Sequence, residues 1–218
     1  MDWSEIAIPY SAHAFIVGHT GDGKSTLAKF LINDPALPFS IVYDGKHDDG
    51  IGEWPGKKIY TLPKLARYLN ANRERNSPVK RFIYRPDFDE TEDKDAQNLF
   101  FQYCFERGGT RVYTDEVSLI VGSTFPPRRF RQCMQLGRSK GLSMVNGCQR
   151  PSKIAAEIMT EATLFYIFNL LKRADRERME EICDIDQREF KLPKYKFLVY
   201  NAAIGKISGP YKLNLNRK

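Results

Sequence analysis

A glycine-rich segment near the amino terminus has the residue types and spacing that bind a polyphosphate. Residues 18–26 match the pattern G-x-x-x-x-G-K-[ST]. The positions are Gly18, His19, Thr20, Gly21, Asp22, Gly23, Lys24, Ser25 and Thr26. The pattern predicts that backbone N–H groups and Lys24 hold the phosphates of ATP, while the Ser25 hydroxyl ligates Mg²⁺. A chance glycine-rich turn is the alternative.

The segments on either side of this loop predict the elements that must position it. Residues 14–17 form a short apolar run, and residues 26–32 carry apolar side chains at helical spacing. A strand, a glycine-rich loop and a helix in this order direct backbone N–H groups and a helix N-terminus at a bound polyphosphate. We therefore predict that the chain binds a nucleoside triphosphate.

Two adjacent carboxylates, Asp115 and Glu116, follow a predicted strand at residues 110–114. The carboxyl end of a strand is where doubly wound sheets place their ligands. There Asp115 can hold the hydration shell of Mg²⁺, and Glu116 can orient and deprotonate an attacking water. Water as the nucleophile means hydrolysis, so the pair favours an ATPase. The alternative is an Asp-Glu pair on the surface at the end of a strand.

A glutamine, Gln149, follows a further predicted strand at residues 142–147. We expect it to lie beside Asp115 and Glu116, because the carboxyl ends of parallel strands meet at one edge of a sheet. Its amide can then hydrogen-bond the γ-phosphate or the lytic water. An ordinary loop glutamine is the alternative.

Composition limits the classes of protein that the chain can be. Its 218 residues, 42% of them apolar, suit one α/β domain, which we place at residues 1–218. No apolar run is long enough for a transmembrane segment, and the acidic N-terminus is unlike a signal peptide. The scattered cysteines predict reduced, buried thiols in a cytoplasmic protein rather than disulfides or zinc ligands. They are Cys104, Cys133, Cys148 and Cys183.

The net charge of +7 is unevenly distributed along the chain. Between Glu116 and Glu157 there are several lysines and arginines and no acidic residue. A basic region of this kind suits a polyanion such as nucleic acid. A solvated basic face is the alternative.

The order of predicted elements indicates an α/β fold, with a mostly parallel sheet flanked by helices on both faces. Further strands are predicted at residues 40–43, 58–60, 81–84 and 163–170, and a terminal β-hairpin at residues 195–201 and 210–215. Helices are predicted at residues 62–75, 91–108, 152–160 and 174–183 and within residues 127–141. Thr61 and Thr91 are the predicted N-caps of the first two of these helices.

Four segments, in this order, resemble motifs of the FtsK–HerA superfamily of DNA-translocating ATPases. They are residues 18–25 (Walker A), residues 43–46, residues 112–116 (Walker B), and residues 137–141 running into Gln149-Arg150-Pro151. The last is the most distinctive, because Gly-Arg-x-x-Gly, an apolar strand and Gln-Arg-Pro are not general features of phosphate-loop proteins. Family members commonly have Asp-Pro-Lys in the second segment, where this chain has Asp44, Gly45 and Lys46.

The short chain resembles, within that family, the genome-packaging ATPases of tailless icosahedral double-stranded DNA viruses that carry an internal membrane. The resemblance implies a P-loop NTPase with a RecA/FtsK-like core and a C-terminal β-hairpin. It implies an ATP-hydrolysing translocase of double-stranded DNA that packages a viral genome. It further implies a homo-oligomeric ring, a hexamer, in the host cell cytoplasm or on the virion, with a capsid vertex or portal protein as a partner.

The ring in turn implies an arginine that reaches the ATP of a neighbouring subunit. Arg138 is the first choice, because it aligns with the Gly-Arg segment, and an ordinary surface or DNA-contacting role is its alternative. Arg128, Arg129 and Arg131 are the fallbacks. They also lie in the segment 121–131, a candidate pore loop whose arginines would contact DNA phosphates.

Other classes of function stay open at this point. One is a small-molecule or nucleoside kinase on the same core, although the sequence shows no convincing lid. Another is a cellular HerA-like DNA pump. A third is a non-catalytic nucleic-acid-binding subunit, which the presence of Lys24, Ser25, Asp115 and Glu116 disfavours.

Overall fold

The fold is built on one mostly parallel β-sheet. The computed structural model describes residues 6–33, 39–71, 81–122 and 126–213. The strands in these residues are β1 (Ala14–Val17), β2 (Ser40–Tyr43), β3 (Lys57–Ile59), β4 (Arg81–Tyr84), β5 (Arg111–Thr114), β6 (Ser143–Cys148), β7 (Leu164–Ile167), β8 (Lys196–Asn201) and β9 (Lys206–Lys212). They form one nine-stranded sheet in the order β3-β4-β2-β5-β6-β1-β7-β8-β9. The pairs from β3 to β7 are parallel, whereas β7–β8 and β8–β9 are antiparallel.

The helices alternate with the strands along the chain. They are α1 (Lys24–Ile32), α2 (Asp49–Gly52), α3 (Leu62–Ala71), α4 (Phe88–Glu92), α5 (Lys94–Arg107), α6 (Arg128–Leu136), α7 (Ala156–Met159) and α8 (Arg173–Cys183). Short 3₁₀ turns occur at Val117–Leu119, Gly137–Lys140, Pro151–Lys153 and Gln187–Phe190. The described residues thus follow the predicted alternation, although the end of the helix predicted at 62–75 lies outside them.

Helices cover both faces of the sheet, because its parallel strands are apolar on both sides. Phe15 and Val17 of β1 belong to one buried apolar cluster, which also contains residues of α3, α5 and α6, whereas Ala14 and Ile16 belong to a second, which contains Leu27 and other residues of α1. The four residues of β1 are completely buried. The predicted α/β fold is therefore confirmed.

The strand order brings distant motifs to one edge of the sheet. β6 lies between β1, which leads into the phosphate-binding loop, and β5, which leads into Asp115 and Glu116. β2 flanks β5 on the other side. Because all four strands run parallel, the segments that follow them meet where the strands have their carboxyl ends, which we call the carboxyl edge. The opposite side, where the strands have their amino ends, is the amino edge.

Some predicted boundaries are wrong for local reasons. Thr91 does not begin a long helix: its hydroxyl donates to the Asp87 carbonyl, 2.8 Å away, inside the short helix α4. The Asp93 carboxylate caps α5 instead by accepting from the Asp95 N–H at 2.8 Å. A carboxylate suits this position because it also interacts favourably with the positive end of the helix dipole.

The terminal hairpin is present with a different second strand. β9 begins at Lys206, upstream of the predicted start at Pro210, and Gly209 and Pro210 lie within the strand. β9 is at the edge of the sheet, and its register against β8 shifts between Phe197 and Val199. Edge strands and bulges are the positions in a sheet that accommodate proline. Residues 214–215 of the prediction lie outside the described residues.

Candidate nucleotide site

The phosphate-binding loop connects β1 to the N-terminus of α1. Gly23 is the N-cap of α1 with a φ of 107°, which is readily available only to glycine. It has no side chain to cap the helix, so the first N–H groups of α1 remain available to an anion. The loop is anchored at Gly18 N, which donates to Cys148 O at 3.1 Å, and at His19 N, which donates to Asn169 O at 3.2 Å. Asp22 is buried in the loop.

Lys24 occupies the first turn of α1, as the motif requires. Its ammonium donates to the His19 carbonyl at 3.0 Å and so lies over the loop. Burial lowers the pKa of Lys24 below its usual value, and the nearby carboxylates of Glu116 and Asp115 oppose that shift. The side chain therefore lies within electrostatic reach of both carboxylates predicted from the sequence.

Asp115 is held next to Ser25 by a tyrosine that the sequence analysis did not assign. The Tyr113 hydroxyl donates to Asp115 Oδ1 at 2.9 Å, and Ser25 is a second hydrogen-bonding neighbour of that hydroxyl. Gly147 of β6 packs behind them: a Cβ there would come within 2.2 Å of the Asp115 carbonyl oxygen and 3.0 Å of the Tyr113 hydroxyl. A residue two positions before Asp115 shares its face of the strand, so the alternation of side chains could have identified Tyr113.

The Asp115 carboxylate and the Ser25 hydroxyl fit Mg²⁺. Both supply the hard oxygen ligands that this ion prefers, and Mg²⁺ in nucleotide sites takes few protein ligands because phosphates and water complete its shell. Burial raises the pKa of Asp115, while Tyr113 and Lys46 lower it. A buried carboxylate with its charge only partly compensated favours the arrival of a cation.

Glu116 lies beside Asp115 with both carboxylate oxygens engaged. Its Oε2 atom is 2.9 Å from the Lys46 ammonium. Its Oε1 atom accepts from the Ser118 hydroxyl at 2.6 Å and from the Gln149 N–H at 3.3 Å. The Gln149 side chain accepts from the Thr20 hydroxyl of the phosphate-binding loop at 2.8 Å. Gln149 therefore bridges Glu116 and that loop, which is where the sequence analysis expected it.

Comparison with known proteins identifies one relative by sequence and several solved structures with a similar fold. No protein-family model matches the chain. DNA packaging ATPase P9 of Enterobacteria phage PRD1 is 26% identical over 175 residues, which make up 78% of this chain and 70% of P9. Genome packaging NTPase B204 of Sulfolobus turreted icosahedral virus 2, solved with ATP-γS, has a TM-score of 0.70 at 17% identity and covers 92% of this chain and 97% of its own. B204, the DNA-packaging ATPase of Sulfolobus turreted icosahedral virus, has a TM-score of 0.73 at 15% identity and covers 95% of this chain and 100% of its own.

This chain resembles viral DNA-packaging ATPases. The resemblance that the four sequence segments indicate is therefore confirmed, and so is the P-loop fold. The relatives also support the prediction of an ATPase.

Arg138 lies at the amino ends of the strands, whereas the phosphate-binding loop lies at their carboxyl ends. It belongs to the 3₁₀ turn Gly137–Lys140, which precedes β6, and its guanidinium donates to the Glu161 carbonyl just before β7. The six residues of β6 separate the two edges by about 20 Å. Arg138 therefore cannot contact phosphates bound to its own chain, and a role in catalysis requires the site of another subunit.

The three other candidate arginines lie on a helix rather than in a loop. The segment 121–131 is not the predicted pore loop throughout, since α6 begins at Arg128; residues 123–125 of it lie outside the described residues. Arg128 is exposed, and the Arg129 guanidinium donates to Gln132 Oε1 at 2.7 Å. Arg131 forms a 3.1 Å ion pair with Glu157. Part of the basic charge in this region is thus neutralised by the next acidic residue along the chain.

Proposed function

We propose that this chain hydrolyses ATP to drive double-stranded DNA into a viral capsid. The observation that carries the proposal is the placement of Glu116, which lies beside Asp115 and is hydrogen-bonded to the backbone of a residue that contacts the phosphate-binding loop. A glutamate so placed can take a proton from a water that attacks a bound γ-phosphate. The relatives, a DNA packaging ATPase and genome packaging NTPases, support DNA as the substrate of the motor.

Each group at this edge has a distinct part in the proposed reaction. The N–H groups of the loop and the Lys24 ammonium bind the phosphates and neutralise their charge. Asp115 and Ser25 would hold Mg²⁺, which would neutralise phosphate charge when bound. Glu116 accepts the water proton as the water oxygen attacks phosphorus and ADP departs. Gln149 contacts both Thr20 and Glu116, so it can report hydrolysis to the loop.

We propose further that the active form is a homo-oligomeric ring, a hexamer, in which Arg138 acts on the ATP of a neighbour. The position of Arg138 at the far edge of the sheet supports this role, because it leaves only the site of another subunit within reach. Such a ring would surround DNA and dock on a capsid vertex or portal protein, in the host cytoplasm or on the virion. Arginines that act in trans contribute about 10³–10⁵ in rate in related chemistry.

The decisive test is ATP turnover with and without long duplex DNA, measured as phosphate released to water. We expect duplex DNA to raise the rate, since a translocase couples the two processes. A kinase would need an acceptor other than water, and a non-catalytic subunit would release no phosphate. Turnover that is unchanged by duplex DNA over a range of salt concentrations would contradict the translocase proposal.

The ring is tested by mixing two inactive variants. Arg138→Ala and Glu116→Gln subunits each lack one half of a site, so mixed rings should regain activity wherever an intact Arg138 faces an intact Glu116. Mass measurement verifies that both variants share one ring. Verified mixed rings with no recovered turnover would remove Arg138 from its role in trans.

The role of α6 in binding DNA is tested by replacing Arg128, Arg129 and Arg131 together with glutamine. We expect weaker binding to duplexes of every sequence and a shallower salt dependence, by about one unit of slope for each phosphate that is no longer neutralised. The matched control is the equal change of charge at Lys172, which precedes α8, and at Arg173 and Arg178 of α8; it should leave the salt slope unaltered. Equal effects of the two triple variants would assign the α6 arginines to the general basic surface.

A further inference from the structure

Lys46 places a second ammonium group at the carboxyl edge of the sheet. It lies in the loop after β2, the strand next to β5, and its ammonium is 2.9 Å from Glu116 Oε2. Its charge also reaches the other charged groups of the site, since it lowers the pKa of Asp115 and of Lys24. Lys46 thus lies among the predicted base, the predicted Mg²⁺ ligand and the lysine of the phosphate-binding loop.

The backbone that carries Lys46 is held firmly. Asp44 is fully buried and accepts from the Asp48 N–H at 3.0 Å, while Arg85 Nε is 2.8 Å from its other oxygen. Gly45 packs so closely that a Cβ there would come within 2.9 Å of the Tyr43 ring. The side chain of Lys46, in contrast, is 33% exposed. A long side chain on a fixed backbone can exchange one partner for another without moving the loop.

The ion pair with Lys46 keeps Glu116 from meeting a water. The Lys46 ammonium occupies Oε2, the oxygen that is not already bonded to Ser118 and Gln149. A base must present a lone pair to the attacking water. Glu116 can do so at Oε2 only when Lys46 moves away.

We propose that Lys46 is a ligand of the γ-phosphate, and that it leaves Glu116 for this phosphate when ATP binds. The γ-phosphate of ATP carries more negative charge than one carboxylate, so it competes successfully for the ammonium. The same movement neutralises charge on the transferred group and frees Glu116 Oε2 for water. The inference rests on the proposed function, because it takes Glu116 as the base, but it gives Lys46 a role that the resemblance of residues 43–46 to a family motif does not supply.

The test compares the binding of ATP-γS and ADP to the full chain and to Lys46→Gln, in the presence of Mg²⁺. A charged hydrogen bond to the γ-phosphate predicts about 10- to 100-fold weaker ATP-γS binding and less than about a twofold change for ADP. Lys24→Ala should weaken the binding of both nucleotides. The matched control is Lys64→Gln, at an exposed lysine on α3, which should change neither. An unchanged preference for ATP-γS over ADP in Lys46→Gln would overturn the inference.

A second measurement separates a phosphate ligand from a structural lysine. In Glu116→Gln the ion pair is lost and Lys46 is released, so ATP-γS should bind about 3- to 10-fold more tightly, in keeping with the removal of one partly buried ion pair. The gain should vanish when Lys46→Gln is added. A gain that persists in the double variant would contradict the inference. A wild-type chain that binds ATP-γS without hydrolysing ATP would instead contradict the proposed function and leave the binding comparison valid.

Discussion

The two ends of β5 both bury charged side chains, and they satisfy them in opposite ways. At the amino end, the Arg111 guanidinium is 1% exposed and donates to neutral acceptors: Leu31 O at 2.8 Å, Ile8 O at 2.9 Å and the Ser143 hydroxyl at 3.2 Å. At the carboxyl end, Glu116 faces another charge, the ammonium of Lys46. Backbone acceptors fix the arginine in one place, whereas an ion pair near solvent can be exchanged for a charged substrate.

Arg81 repeats the pattern of Arg111 at the amino end of β4. It donates to the Ser40 hydroxyl at 3.1 Å and to the carbonyls of Pro55 at 3.1 Å and Ile32 at 3.2 Å. Arg81 and Arg111 therefore both bind carbonyls in the last turn of α1, the negative end of the helix dipole. The opposite end of the same helix carries Lys24 and Ser25. The amino edge thus anchors the helix that presents the phosphate site at the carboxyl edge.

The largest expected effect is at the carboxyl edge and concerns rate alone. Glu116→Gln should lower ATP turnover by about 10²–10⁴ because the attacking water loses its base. The free energy of unfolding should change little, since Glu116 is stabilised by exchangeable partners. Turnover and chemical denaturation measured on one preparation check both parts, with exposed Glu189→Gln as the control. A variant with near wild-type turnover would take Glu116 out of the mechanism.

The next largest effect is at the amino edge and concerns stability. Arg111→Met should lower the free energy of unfolding by about 3 kcal/mol, because buried carbonyls lose a charged donor. Arg111→Lys should restore only part of this, since one ammonium cannot match the fork of a guanidinium. Denaturation curves measure the change, and ATP-γS affinity of the folded variant should stay within about twofold. A loss of affinity with unchanged stability would reverse the roles assigned to the two edges.

His13 gives the amino edge a pH dependence. Burial, together with the charge of Arg138, lowers the pKa of His13 to about 4, and its Nδ1 atom accepts from the Met144 N–H at 3.0 Å. The unfolded chain binds the proton near pH 6.5, so stability is present above that pH and is lost as pH falls toward 4. Between pH 7 and pH 5 the loss from this residue should be about 2 kcal/mol.

The measurement is the free energy of unfolding at both pH values for wild type and His13→Gln, whose side-chain oxygen can still accept from Met144. The variant should show a pH dependence smaller by that amount. Identical pH dependence in the two proteins would mean that folding does not change the pKa of His13.

The smallest expected effect is on the surface of α6. Arg131 and Glu157 are 40% and 56% exposed, so their coupling in a double-mutant cycle should be only about 0.2–1 kcal/mol. Glu157→Gln should nevertheless strengthen duplex DNA binding slightly at low salt, because Arg131 is released. A DNA affinity that does not respond to Glu157→Gln would argue against binding of DNA by Arg131.

The sequence by itself determined the features that depend on neighbouring residues. Residues 18–26 contain the whole phosphate-binding loop, and Asp115 and Glu116 follow a strand whose apolar residues are contiguous. The alternation of strands and helices is likewise local, because it depends on the spacing of apolar side chains. These patterns were sufficient for the α/β fold, the P-loop class and the resemblance to packaging ATPases.

The tertiary structure decided which of these residues meet. Lys46 and Glu116 are 70 positions apart, and Thr20 and Gln149 are 129 apart, yet each pair is in contact because β2, β5, β6 and β1 are neighbours in the sheet. The same strand order places Arg138 at the far edge, away from the loop of its own chain. Apolar spacing marks each strand but carries no information about the strand beside it, since every parallel strand is buried on both faces. The order of strands, and with it the pairing of Lys46 with Glu116, follows only from packing the whole sheet.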